Sequence, residues 1–202
     1  MSSYPFVYLA SQSPRRRQLL EQLGVAYELL LPDSNEDAEA LEVVLPSESP
    51  KAYVQRVTLL KLNAALLRMK RRGLIAAPVL CSDTTVALGT TILGKPNDLG
   101  HAQQMLSTLN GKTHRVLTSV AVGSARKQRK ALSISNVRFA AMTKQQINHY
   151  VASGEPMGKA GAYAVQGKAA AYIEHISGSY SGIMGLPMFE TSQILRDFGF
   201  KV

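Results

Sequence analysis

One cysteine in 202 residues, Cys81, excludes an internal disulfide framework and fits a reducing compartment. Histidine is nearly as scarce. Its four copies are scattered without ligand spacing, which argues against a Cys/His zinc site. No apolar run approaches the roughly 18 residues that a membrane span needs, so no membrane partner is expected. Met1-Ser2-Ser3-Tyr4-Pro5 carries no charged n-region and no long h-region, so no secretory signal is expected and a cytoplasmic location is. Acidic residues are few: 14 against 23 lysines and arginines, a formal charge of +9. Such an imbalance suits either a nucleic-acid or membrane surface, or a polyanionic small molecule. Much of the excess sits in Arg15-Arg16-Arg17, Lys70-Arg71-Arg72 and Arg126-Lys127-Gln128-Arg129-Lys130. No aromatic residues interleave with them, which disfavours a nucleic-acid partner read by base stacking. There is no internal repeat, no low-complexity tract and no long linker. With 46% hydrophobic residues, residues 1–202 are expected to form one domain with a large core.

What is present is organised around Leu9-Ala10-Ser11-Gln12-Ser13-Pro14-Arg15-Arg16. The apolar run before it reads as a buried strand. Leu19, Leu20 and Leu23 after it recur at helical spacing, and Gly24 closes the helix. Ser13 suits the N-cap and Pro14 the first helical position. Backbone N–H groups, the hydroxyls of Ser11 and Ser13, and the guanidinium groups of Arg15 and Arg16 would meet there on an anion, most plainly a polyphosphate. The plainer alternative is a capped helix with solvated arginines.

Further along, residues 25–31 read as a strand, and Pro32-Asp33-Ser34-Asn35-Glu36-Asp37 as an acidic turn. Ser49-Pro50 opens a long helix that ends at Gly73 and carries Lys61 midway. Pro78-Val79-Leu80-Cys81-Ser82 reads as a short buried strand with Asp83-Thr84-Thr85 at its end. A carboxylate there stands where open α/β sheets put their chemistry; the alternative is an ordinary turn aspartate. Residues 85–93 read as a hairpin turning at Gly89, followed by Gly94-Lys95-Pro96. Asp98 caps a helix that closes at Asn110-Gly111. Residues 112–122 and 131–142 read as strands joined by a basic turn, with a two-residue period through Val116, Thr118, Val120 and Val122. Thr143 opens a helix to Ser153-Gly154. A glycine-rich stretch from Glu155 to Gly167 follows, whose glycines allow close approach to a ligand. Glu155, Lys159 and Gln166 supply it with a carboxylate, an ammonium and an amide. Residues 170–176 read as a strand, 178–182 as a loop, and Pro187 starts the last helix. Hairpins inside an alternating series predict a mixed sheet flanked by helices.

These stretches resemble the Maf family of nucleoside triphosphate pyrophosphatases. The resemblance rests on Leu9-Ala10-Ser11-Gln12-Ser13-Pro14-Arg15-Arg16, Ser82-Asp83-Thr84, Gly94-Lys95-Pro96, Gly111-Lys112-Thr113-His114, Glu155-Pro156 with Lys159-Ala160-Gly161-Ala162-Tyr163, and Gly185-Leu186-Pro187. They stand in the family's order over nearly the whole chain. The implied fold is α/β and inosine triphosphate pyrophosphatase-like: a long mixed sheet wrapped by helices, two lobes and a central cleft. The implied reaction hydrolyses a nucleoside triphosphate to a monophosphate and pyrophosphate, with a divalent cation, Mg2+ or Mn2+. Arg15, Thr84 and Gln166 match the family's dTTP/UTP pattern rather than its 7-methyl-GTP pattern.

On that resemblance Ser11, Ser13, Arg15, Arg16, Lys61, Lys95 and Lys159 are expected on the substrate, and Asp83 as the base that activates water. Asp83 stands equally as the holder of the metal. Glu36 and Glu155 are the remaining carboxylates for metal. Gln166 and Thr84 are expected to read the pyrimidine edge. Three positions depart from the family: Gly158 stands where Asp is usual, Asn35 where Asp is usual, and Ser82 where Ala is commoner. Loss of two carboxylates keeps open a basic regulator with a vestigial nucleotide site. A homodimer is compatible with the sequence, though no motif argues for it.

Overall fold

The apolar run that precedes Ser11 forms β1 (Val7–Leu9), with all three residues buried. In the computed structural model, which describes residues 4–33, 36 and 40–202, β1 is followed by α1 (Pro14–Gln22) and β2 (Tyr27–Leu29). The strand read over 25–31 is thus shorter, and it pairs parallel to β1. Asn35 and Ser34 of the acidic turn lie outside the described residues.

α2 (Pro50–Arg71) begins where the sequence marks it. The Ser49 hydroxyl accepts from the Ala52 N–H, and Pro50 sits in the first turn. Arg68, Lys70 and Arg71 in the last turn complement the helix dipole. Then come β3 (Val79–Leu88), β4 (Thr91–Leu93) and α3 (Leu99–Leu109), the last capped by Asp98 through the His101 N–H at 2.7 Å. β5 (Thr113–Gly123) and β6 (Gln128–Phe139) make the long hairpin, and α4 (Lys144–Ala152) starts with a capping box of Thr143 and Gln146. The chain ends with β7 (Ile173–Ser177), α5 (Tyr180–Met184) and α6 (Met188–Asp197).

The strand order is β2-β1-β3-β5-β6-β7, with β4 paired to β3. β1 runs parallel to both neighbours, and the remaining pairs are antiparallel. The expected mixed sheet flanked by helices is therefore what forms. Along β3 the faces alternate, as strand geometry requires. Val79, Cys81 and Ala87 join the clusters under α2, while Leu80 and Val86 join the larger cluster with α1, α3, α4 and α6. Cys81 is a fully buried free thiol in the core. Among the described residues no helix is long and apolar enough to cross a membrane.

Three local readings change. Asp83 does not follow a short strand; it sits inside the ten-residue β3, opposite Ser119 of β5. The strand read over 170–176 starts only at Ile173, after a 3-10 turn over Lys168–Tyr172. Residues 178–182, read as a loop, lead into α5, whose N-cap Ser179 accepts from the Gly182 N–H. Serine and glycine there serve a cap and a tight helix rather than a loop.

Candidate active site

One side of β3 pairs continuously with β5 from Val79 to Ala87. Its other side pairs with β1 only as far as Leu80 and with β4 only from Val86. Between them, among the described residues, that edge has no strand partner. The gap opens where the parallel pair β1/β3 ends, so Asp83 still lies at the carboxyl side of parallel strands, where α/β sheets place ligands. A cavity of about 690 Å³ fills this region. It is lined by Ser11, Ser13, Arg15, Arg16, Glu36, Lys61, Asp83, Thr84, Lys95, Lys159 and Gln166, every expected site residue except Glu155.

Strand alternation sends Asp83 and Thr84 in opposite directions. Asp83 faces α2, and its Oδ1 lies 2.6 Å from Lys61 Nζ. Lys61 is therefore not a solvated mid-helix lysine. It also bonds Glu42 Oε1 at 2.7 Å, and Glu42 Oε2 takes Lys95 Nζ at 3.0 Å. Burial works against the Lys61 ammonium, but Asp83 and Glu42 outweigh it, so its pKa is raised. Burial likewise opposes the Glu42 carboxylate, and Lys61 and Lys95 prevail, so its pKa is lowered.

Glu42 is absent from the sequence reading. It ends a 3-10 turn over Ala40–Glu42 that has no apolar period, and its carbonyl accepts from the Tyr53 hydroxyl at 2.9 Å. Asp83 and Glu42 bond one ammonium between them, so two carboxylates border the same part of the cavity. Mg2+ takes one or two carboxylates plus phosphates rather than a full protein cage. This agrees with finding no group of three or more His, Cys, Asp or Glu among the described residues.

The two carboxylates expected on the metal, Glu36 and Glu155, both have other partners in this structure. Glu36 lines the cavity but is clamped by Arg68, at 2.6 Å from Nη2, and by Arg71 at 2.6 Å. The Arg68 hydrogen bond above all holds its pKa down to about 2. Glu155 faces away from the cavity. Its Oε1 accepts from the Tyr150 hydroxyl at 3.0 Å and its Oε2 from the Lys168 N–H at 3.0 Å.

On the other side of β3, Thr84 meets the opening stretch. Arg16 donates from Nε to the Gly185 carbonyl at 2.8 Å and from Nη1 to Ser11 Oγ at 3.2 Å, and reaches Thr84 Oγ1 at 3.5 Å. The Thr84 hydroxyl is also 3.0 Å from that of Thr118. Thr84 is thus engaged within the protein, and Arg16 ties α1 to β3 and to the turn after α5. Ser13 takes the N-cap position without a side-chain cap bond. Arg15 makes one bond, to the Met184 carbonyl at 3.3 Å.

Arg15, Arg16 and Lys159 form a corner of three cations, and among the described residues none has a carboxylate within ion-pair distance. Burial lowers the pKa of both arginines. It lowers that of Lys159 too, and the Arg15 charge adds to the effect. Clustered, half-desolvated cations of this kind are stabilised by an incoming anion.

The remaining wall is the glycine-rich stretch. Gly158 adopts a φ of 71°, and nothing stands within 4 Å of where a Cβ would be. The missing aspartate would therefore have had room at the cavity's edge. Tyr163 is anchored from behind by buried His114, Nε2 to hydroxyl at 2.7 Å. Gln166 is exposed and makes no hydrogen bond among the described residues.

Known proteins resemble this chain over nearly its whole length. A dTTP/UTP pyrophosphatase of Albidiferax ferrireducens is 70% identical over 197 residues, 98% of each chain. Another, from a Polaromonas species, is 66% identical over 202 residues, 100% of each chain. Among solved structures, the Ham1 protein of Staphylococcus aureus matches 95% of this chain and 96% of its own at 9% identity, with a TM-score of 0.41. The family model for Maf-like proteins matches residues 6–198, from just before β1 to just after α6. That span takes in every wall of the cavity, and the chain belongs to the Maf family.

Proposed function

We propose that the protein is a nucleoside triphosphate pyrophosphatase that cleaves dTTP and UTP to the monophosphate and pyrophosphate. The observation that carries this reading is the unpaired cation corner of Arg15, Arg16 and Lys159 in the same cavity as the Asp83–Lys61–Glu42 cluster. The names of the full-length relatives support the substrate.

In this reading the corner takes the phosphates, with Ser11 and Ser13 hydroxyls beside it. Water attacks the α-phosphorus, the bond to the α–β bridging oxygen breaks, and pyrophosphate leaves. Asp83 takes the proton from the attacking water, and Lys61, 2.6 Å away, holds its carboxylate in place. A divalent cation, held by Asp83 and Glu42 with phosphate oxygens, would neutralise charge on the triphosphate. As phosphate enters, Lys61 and Lys95 exchange bonds to Glu42 for bonds to substrate. Gln166 reads the pyrimidine through its free amide, and Thr84 holds Arg16. The chain acts as one domain whose two lobes flank the cavity.

The test is release of pyrophosphate from dTTP, UTP, CTP, GTP and 7-methyl-GTP, with Mg2+ or Mn2+. Turnover of dTTP and UTP above the others is the expected result. Release of single phosphate, or no turnover of any nucleotide, contradicts the proposal.

A further inference from the structure

We propose that Glu155 is a positioning residue that sets base selectivity by fixing the wall that carries Gln166. The inference rests on the reading of Gln166 as the base-reading group. Residues 158–166 supply Gly158, Lys159, Ala160, Tyr163 and Gln166 to the cavity, and Glu155 holds both ends of this segment from behind. At the near end, the Glu155 carbonyl accepts from Lys159 Nζ. At the far end, its Oε2 accepts from the Lys168 N–H, two residues beyond Gln166. The other carboxylate oxygen takes the hydroxyl of Tyr150, a buried residue of α4. α4 is itself fixed by its capping box. The far end of the wall, beside Gln166, is thus tied to α4 through one side chain, while the near end bonds the Glu155 backbone.

Gly167 shows how tight the tie is. A Cβ there would come within 2.6 Å of the Glu155 carboxyl carbon. The glycine expected to admit a ligand instead admits Glu155. Both carboxylate oxygens are occupied and the group is outside the cavity, so its influence on substrate runs through loop position. A small displacement of a reading group costs binding steeply, because its donor and acceptor lose their alignment with those of the base.

The experiment measures kcat and KM for dTTP, UTP and CTP in the wild type, Glu155→Ala, Glu155→Gln, Gly167→Ala and the Glu155→Ala/Gly167→Ala double variant. In Glu155→Ala the KM for dTTP is expected to rise about tenfold and the preference for dTTP over CTP to fall by as much. Its kcat should stay within about threefold of wild type. Glu155→Gln should restore most selectivity, since its amide oxygen still accepts from the Lys168 N–H. Gly167→Ala should lose selectivity alone and add little in the double variant, because both changes release the same tie. If Glu155→Ala does not fold, the other single variants carry the test: selectivity kept in Gln and lost in Gly167→Ala.

Loss of kcat at unchanged KM, a Gln variant as impaired as Ala, or Gly167→Ala with wild-type selectivity would each overturn the inference. The same holds for a wild-type preference that survives Glu155→Ala. A wild type that turns over dTTP and CTP alike would instead remove the Gln166 reading beneath it.

Discussion

Two corners of one cavity use positive charge in different ways. At α2, Lys61 and Lys95 are balanced by Asp83 and Glu42. At the start of α1, Arg15 and Arg16 stand with Lys159 and, among the described residues, bond only hydroxyls and carbonyls. The first corner is neutralised within the protein. The second, among the described residues, has no carboxylate partner, and in the proposed reading a ligand supplies the negative charge. The difference teaches that the chain's excess of basic residues is not one undivided surface. Arg71 and Arg72, within a second basic run, are paired with Asp33 and Glu36. A small part of the excess lines the cavity, and the proposed function assigns that part to the substrate.

The largest effect should come from breaking the balanced corner. Asp83→Asn keeps the strand and its size but removes the proton acceptor, and kcat for dTTP should fall by roughly 10²–10⁴-fold. Steady-state kinetics check this, and near-normal turnover would take Asp83 out of the mechanism. A smaller effect should follow at the glycine-rich wall, where no charge is involved. Gln166→Ala should raise KM for dTTP and UTP by about tenfold and flatten the preference over CTP, with kcat little changed. A competition assay with mixed nucleotides reads that preference directly.

The last effect, on stability and not on turnover, lies behind the wall, at His114. Burial lowers its pKa from 6.5 to about 4. The folded protein therefore favours neutral imidazole, while the unfolded chain binds the proton. Stability from this group is complete above pH 6.5 and is lost as pH falls from there through about 4, on the order of 3 kcal/mol in all. Urea denaturation across that range should show the slope, and His114→Gln should flatten it. Glu36, held to about 2, acts in the lower window between pH 4.5 and 2 and leaves the upper one untouched. An unchanged slope in the His114 variant would contradict the assignment.

Much of the cavity was legible in the sequence because its first corner is local. Strand, Ser-Pro turn and helix are contiguous, and caps at Ser49, Asp98 and Thr143 mark their helices with real hydrogen bonds. What stayed hidden depends on pairing between distant segments. The extent of β3 could not be read, because Ser82, Asp83, Thr84 and Thr85 look like a turn until β5 pairs with them. The gap on its other edge exists only because β1 stops at Leu9. Glu42 was invisible because its function comes from Lys61 and Lys95, at distances of 19 and 53 residues along the chain. The surroundings of Glu155 were hidden for the same reason: residue type is local, but the Lys168 N–H that bonds it is not.

The most direct measurement is equilibrium binding of dTTP and dGTP to Asp83→Asn, set beside the turnover of the same variant. The two-corner account predicts that dTTP still binds, still in preference to dGTP, while hydrolysis falls by roughly 10²–10⁴-fold. Normal hydrolysis, or loss of dTTP binding and preference together with hydrolysis, would contradict the separation of the cation corner from the Asp83 corner.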